Sequence, residues 1–323
     1  MKRCLFPLLL PLTTVLLPAA PPAPLAAPFD AAAARRGQEA WAAHLGQPVE
    51  ETNSIGMALR LIPPGRFIQG DSTRVHEVAR QDPARYWTPE RAAENAKNDG
   101  PAHPVTLARP YRISATEVTI AQFAAFIRDS GYIPEAVRDG QGGDSRGFGK
   151  GPEFTWEKPY GPQGGEHPDY PVTQVTPADA SAFCGWLSRK EGRRYRLPTE
   201  SEWEWAARSG TETLWFFGDD PALLPDHAVT GSKRHAHTGQ KKPNAFGLFD
   251  TAGNVWEWTA DFNSIYAGIA ERTDPQPAKE GTHVVRRGGW AAVEPVETRS
   301  AHRKWSPPAY RGAHVGFRVV AEP

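Results

Sequence analysis

Apolar and polar residues alternate along Leu59-Arg-Leu-Ile-Pro-Pro-Gly-Arg-Phe-Ile-Gln-Gly70, which reads as a strand, a Pro-Gly turn and a second strand. Pro104-Val-Thr-Leu and Tyr111-Arg-Ile predict two more strands. The period then lengthens. Phe123, Phe126 and Ile127 recur at helical spacing, and Thr119 with Gln122 three residues on has the form of a capping box, so a helix is predicted from Ile120 to Asp129. Pro171-Val-Thr-Gln-Val reads as a short strand. After it, Thr176 caps and Pro177 opens a helix whose Ala180, Phe183, Cys184 and Leu187 share one face. Thr199 and Glu202 form a further capping box at the head of a third helix. Residues 71–98 are polar and weakly periodic, and 131–170 are rich in Gly, Asp and Pro with Trp156 as the one apolar anchor; both predict surface loops.

The N-terminus follows a different rule. Lys2 and Arg3 precede an apolar stretch from Leu5 to Leu17, then small residues and prolines run to Ala27. This is the layout of an export signal over residues 1–27, cleaved between Ala20 and Ala27, and it predicts a periplasmic or secreted protein. The stretch is too short to span a membrane, and no later segment approaches 18 apolar residues. Residues 28–56 form a small-residue, charged lead-in with one helix, and a domain is expected over 57–323.

Composition narrows the partners. Among 323 residues, 37 basic side chains balance 37 acidic ones, so no overall field points to nucleic acid or to an anionic membrane. Cysteine is nearly absent. Cys4 lies in the leader and only Cys184 remains, so the mature chain holds no internal disulfide; Cys184 itself fits a small buried hydrophobe on its helix.

Three segments carry a resemblance. Arg196-Leu-Pro-Thr-Glu-Ser-Glu-Trp-Glu-Trp-Ala-Ala-Arg208, Gly247-Leu-Phe-Asp-Thr-Ala-Gly-Asn-Val-Trp-Glu-Trp258 and the closing Gly316-Phe317-Arg318 resemble the formylglycine-generating enzyme family, also called the sulfatase-modifying-factor fold. The likeness runs from Met57 to Val320. It implies an α+β domain of the formylglycine-generating-enzyme fold, related to C-type lectins, with small twisted antiparallel sheets, few helices and much irregular loop. It also makes the Leu59–Gly70 strands the family's opening hairpin. By the same resemblance a structural calcium ion is held by the side chains of Asp250 and Glu257 and the carbonyls of Gly253 and Val255. A second calcium site found in some relatives is expected to be missing, because His227 to His237 lacks the Asn and Asp it requires.

The departure from the family is chemical. Its founding oxidases bind copper through two cysteines and oxidise a substrate cysteine; here the first position is Val293 and the second falls near Glu297. A valine offers no lone pair to copper, which excludes that mechanism and leaves any redox metal unassigned. The chain is similar instead to an exported, cysteine-less branch that includes a periplasmic pyoverdine-maturation type.

The candidate site therefore lies between Gly288 and Gly316. Glu297 and His302 are the expected catalytic acid–base pair, with Trp290, Glu294, Arg299, Arg303 and His314 as substrate-binding residues. Arg299 and Arg303 have a second reading as loop bridges. Glu200, Glu202 and Glu204 suit the positive end of a helix better than catalysis. His235 and His237 would present two rings to one side if extended, which is two ligands and not yet a metal site. Two functions follow. One is an oxidoreductase-like enzyme modifying a peptide or a secreted small metabolite; the other is a non-catalytic, calcium-stabilised binding domain.

Overall fold

The computed structural model describes residues 20–71, 73–74, 76–77, 93–94, 97–164, 167–264, 266 and 270–323; most of the leader and most of the loop expected over 71–98 lie outside them. In chain order the elements are β1 (Leu25–Ala26), α1 (Ala31–Leu45), β2 (Glu50–Thr52), β3 (Ala58–Ile62), β4 (Gly65–Gln69), β5 (His103–Leu107), β6 (Tyr111–Ser114) and α2 (Ile120–Ser130). There follow β7 (Gly143–Ser145), β8 (Gly149–Gly151), α3 (Pro177–Glu191), β9 (Tyr195–Arg196), α4 (Glu200–Arg208) and β10 (Trp256–Phe262). The chain closes with β11 (Arg272–Thr273), β12 (Val284–Arg287), β13 (Lys304–Ser306), β14 (Val315–Gly316) and β15 (Val320–Ala321). The class is mixed α+β, with small sheets and long irregular connections.

Strands combine as β1-β4-β5-β11, β2-β3-β6-β15-β9, β13-β12-β10-β14 and the pair β7-β8. The expected opening hairpin is not one. β3 lies between β2 and β6, whereas β4 lies between β1 and β5, so the two strands leave for different sheets. Pro63 and Pro64 have no N–H to give a ladder, and the chain turns a corner there instead. Trp205 fixes the corner by donating its indole N–H to the Pro63 carbonyl at 3.0 Å. A Cβ on Gly65 would fall 2.1 Å from the same ring, so only glycine fits.

All three helix starts follow their capping boxes at Thr119–Gln122, Thr176–Asp179 and Thr199–Glu202. Pro171–Val175 does not form the predicted strand. Pro171 makes one isolated bridge to Thr119, and Gln174 takes a left-handed φ of 58° that breaks the extended run. Val172 and Val175 are buried all the same, which explains the apolar pattern.

The lead-in belongs to the fold. α1 buries Ala34, Trp41 and Ala42, and Gln38 donates to the Leu61 carbonyl at 2.9 Å, while β1 and β2 join the sheets of β4 and β3. The largest core cluster joins Phe123 and Phe126 of α2 and Phe183 and Cys184 of α3 to Trp258 and Phe317. Burial pushes the Cys184 thiol up to about 12, so it packs as an inert hydrophobe. No helix among the described residues is long and apolar enough to cross a membrane.

Candidate functional site

One side of β12 is built as scaffold. Glu200 and Glu204 stand one helical turn apart on α4 and are bridged by Arg287, which donates to Glu200 at 2.8 Å and Glu204 at 2.6 Å. Arg303 adds two bonds to Glu200 at 2.6 and 2.9 Å, and Arg208 reaches Glu204 at 2.8 Å. Glu202 faces outward from this ladder and takes both ends of Arg196. All three glutamates are thus occupied in ion pairs.

The same chemistry removes three expected site residues from the surface. Asp99 is fully buried and accepts from Arg299 at 2.6 Å and from the Arg303 amide at 3.1 Å; the His302 Nδ1 lies 3.1 Å away. Burial alone would raise this carboxyl, but Arg299 and His302 outweigh it and hold it at about 2. Burial likewise lowers the His302 pKa despite Asp99. Arg299 and Arg303, expected to bind substrate, are therefore internal clamps, and His302, expected in acid–base work, has no exposed surface. Glu297 is parted from it in role: its carboxylate is half-buried, 3.8 Å from the Lys304 ammonium. Glu294 is exposed.

The opposite side of β12 behaves otherwise. Successive strand residues point to opposite faces, so Arg286 leaves Arg287 and packs its guanidinium over Trp256 at 5.2 Å and Tyr310 at 5.4 Å. It is 5% exposed, its Nε and Nη1 have no hydrogen-bond partner, and among the described residues no carboxylate forms a salt bridge with it. Burial lowers its pKa to about 10, with Tyr310 opposing, so it remains a cation at neutral pH.

Tyr310 continues the site. Its hydroxyl lies 3.0 Å from His314 Nε2, and the His314 ring sits 4.9 Å from Trp290. Burial, then the Arg286 and Arg146 charges, push the His314 pKa well below the usual range and keep the imidazole neutral. His314 Nδ1 is buried and has no hydrogen-bond partner. Gly312 makes the packing possible, since a Cβ there would fall 2.8 Å from His314 and 3.0 Å from the Tyr310 hydroxyl. From Trp290 a turn leads to Val293, whose N–H bonds the Trp290 carbonyl at 3.2 Å. Val293, where the resemblance would set the family's first cysteine, thus adjoins Trp290 of the Arg286–Tyr310–His314–Trp290 group. Trp290 and His314 were expected there; Arg286 and Tyr310 were not. The signal for Arg286 was present, because two successive arginines after two valines in a buried strand must face opposite ways.

The turn expected to hold calcium divides its acids. Glu257 accepts from Arg318 at 2.5 and 2.6 Å and from the Trp203 indole at 2.6 Å, so three of its roughly four lone-pair positions are filled. Asp250 uses Oδ2 to accept from the Gly239 amide at 2.6 Å and leaves Oδ1 buried without a partner. Glu117, missed in the sequence, accepts from Asn254 at 3.0 Å through one oxygen and likewise leaves Oε2 buried and unpartnered. Desolvation, with Asp250 and Glu257 nearby, raises the Glu117 pKa well above its usual range, and burial raises Asp250. Two buried acids with orphaned oxygens fit a hard divalent cation.

Comparison with known proteins decides the lineage. Residues 47–323 match the model for the sulfatase-modifying factor enzyme 1-like domain. The chain belongs to the formylglycine-generating enzyme family. It is 30% identical to the formylglycine-generating enzyme of Streptomyces coelicolor, covering 92% of this chain and 96% of that protein. It is 31% identical to the inactive C-alpha-formylglycine-generating enzyme 2 of Mus musculus, covering 69% of this chain and 79% of that protein. Among solved structures, PvdO from Pseudomonas aeruginosa superposes with a TM-score of 0.69 at 27% identity, over 85% of this chain and 98% of that one. Within this family the present chain has no cysteine after Cys184.

Proposed function

We infer that this family member is an exported enzyme acting on a peptide or small metabolite that carries a negatively charged group. The observation behind this reading is Arg286: a buried guanidinium with two nitrogens lacking a hydrogen-bond partner and, among the described residues, no salt bridge, beside a neutral imidazole bonded to a tyrosine. A buried cation is costly unless a counter-charge arrives, and an anionic substrate group would supply it. Tyr310 and His314 are joined by one hydrogen bond, so the neutral imidazole orients the phenol to bind, or to give its own proton to, a polar group of the substrate. Trp290 gives an apolar wall to the bound molecule.

The structural calcium belongs to the same proposal. Asp250 Oδ1 and Glu117 Oε2 would hold the ion, with Glu257 contributing at most one remaining lone pair while it anchors Arg318. The ion's role is to neutralise two buried acids and stiffen the turn that leads into β10. Export rests on the leader pattern. Because Leu25 and Ala26 pair with Gly65 and Arg66, cleavage ahead of Leu25 preserves that strand.

The test compares secreted peptides and small molecules, by mass spectrometry, from cells with and without the protein. A species whose mass changes with the wild type, and not with Arg286→Leu or His314→Gln, supports the reading. A ligand recovered from the pure protein at unchanged mass would make the chain a binding domain instead. A product formed equally by both variants would overturn the site.

A further inference from the structure

The two histidines of His235-Ala-His237 do not act together. His235 is buried, with Nδ1 2.9 Å from the Tyr160 hydroxyl and 3.2 Å from the Ala313 carbonyl. His237 turns to other company. Its ring centroid lies 4.4 Å from that of His167 and 4.6 Å from that of Tyr170. Asp169 completes the group: its carboxylate is 3.6 Å from His167 Nδ1, and one potential ligand atom from each of His167, Asp169 and His237 lies within 4.8 Å of the others.

We propose that His167, Asp169 and His237 form a site for one first-row divalent transition metal ion. Metal–ligand bonds of about 2.0–2.2 Å in a tetrahedral or octahedral shell place neighbouring ligands about 3–3.6 Å apart, so small side-chain rotations close the site. Two imidazoles and one carboxylate suit zinc, iron(II) or cobalt(II), whereas calcium and magnesium require oxygen donors. Three ligands also leave coordination positions open to water or a bound molecule.

The backbone holds the ligands in place before any ion binds. The turn His167-Pro-Asp-Tyr170 is closed by the Tyr170 amide donating to the His167 carbonyl at 2.9 Å. The first two amides of α2 fasten it, Ile120 N–H to the Tyr170 carbonyl at 2.9 Å and Ala121 N–H to the Pro168 carbonyl at 3.0 Å. From the other side, the Thr238 amide and hydroxyl both donate to the Asp169 carbonyl, at 3.0 and 3.2 Å. His237 and Asp169 are thereby fixed to each other through the residue next to His237. In the metal-free protein the Asp169 amide donates to His167 Nδ1 at 3.3 Å, a bond that the ion displaces when the ring turns its lone pair to the metal. Such support is what a preorganised ligand set needs. His235, two residues from His237, contacts the carbonyl next to His314, which sets the metal site at the border of the Arg286–His314 region.

The test strips the purified protein with a chelator and titrates it with zinc(II) and cobalt(II), following heat of binding, visible cobalt absorption and metal content. The expected result is one equivalent per chain, not displaced by calcium. Asp169→Asn should weaken binding at least about tenfold and His237→Ala should abolish it. His44→Ala, at an exposed histidine of α1, should titrate like the wild type. Circular dichroism of each variant separates loss of the site from loss of the fold. Sub-stoichiometric binding by the wild type, or His237→Ala binding as the wild type does, would mean that the cluster packs His167 and His237 against Tyr170 and nothing more.

Discussion

Arg286 and Arg287 are neighbours on one strand and face opposite chemistries. Arg287 is fully buried between Glu200 and Glu204, in a ladder that also takes in Arg303 and Arg208. Arg286 is almost as deep, yet it rests on two aromatic faces with two nitrogens unpartnered. The difference separates scaffold from site. A compensated buried charge fixes geometry, whereas an uncompensated one is retained where a partner is to arrive from outside.

The sharpest way to break the comparison is Arg287→Ala. It removes one of the two arginine partners from each of two buried carboxylates and is expected to cost about 3–5 kcal/mol in urea unfolding, as removal of one member of a buried ion-pair network does. Calcium comes next. At a hundredfold excess over its dissociation constant it should stabilise the wild type by about 2.7 kcal/mol, read as a rise in melting temperature. Asp250→Asn should lose most of that rise, and an unchanged response would remove Asp250 from the site.

Gly312→Ala is expected to cost about 1–3 kcal/mol, because the added methyl overlaps the His314 ring and the Tyr310 hydroxyl. A neutral outcome would show that the Tyr310–His314 pair can shift without strain.

Acid should weaken the fold in a defined window. His302 and His314 have folded pKa values below the ordinary 6.5, so the unfolded chain binds more protons than the folded one beneath that pH. The contribution of these two histidines is complete above about 6.5 and is lost as pH drops through the lowered values. Asp99, held at about 2, adds its own loss only between about pH 4 and 2. His302→Gln should flatten the upper part of the curve; an unchanged slope would exclude His302 as its source.

The smallest change in stability belongs to Arg286→Leu. An apolar replacement on the Trp256 and Tyr310 faces should leave unfolding within about 1 kcal/mol of the wild type or raise it, while product formation is lost. A destabilisation as large as that of Arg287→Ala would make Arg286 part of the scaffold and erase the contrast.

Local signals in the sequence were sufficient for what neighbouring residues decide. The capping boxes at Thr119, Thr176 and Thr199 and the buried face of α3 follow from contacts within three or four positions, and the segments ending in Trp258 and Arg318 carry the family. Tertiary structure decided the pairings across long stretches of chain. Asp99 meets Arg299 and His302 some two hundred residues later, Glu117 meets Asn254, and Leu59–Gly70 divides between two sheets. His237 likewise finds His167 and Asp169 rather than its near neighbour His235. Sequence spacing governs which residues share a face of one element, but the partner of a buried charge or a metal ligand is set by packing between elements, where the cost of desolvation selects the nearest counter-charge regardless of its place in the chain.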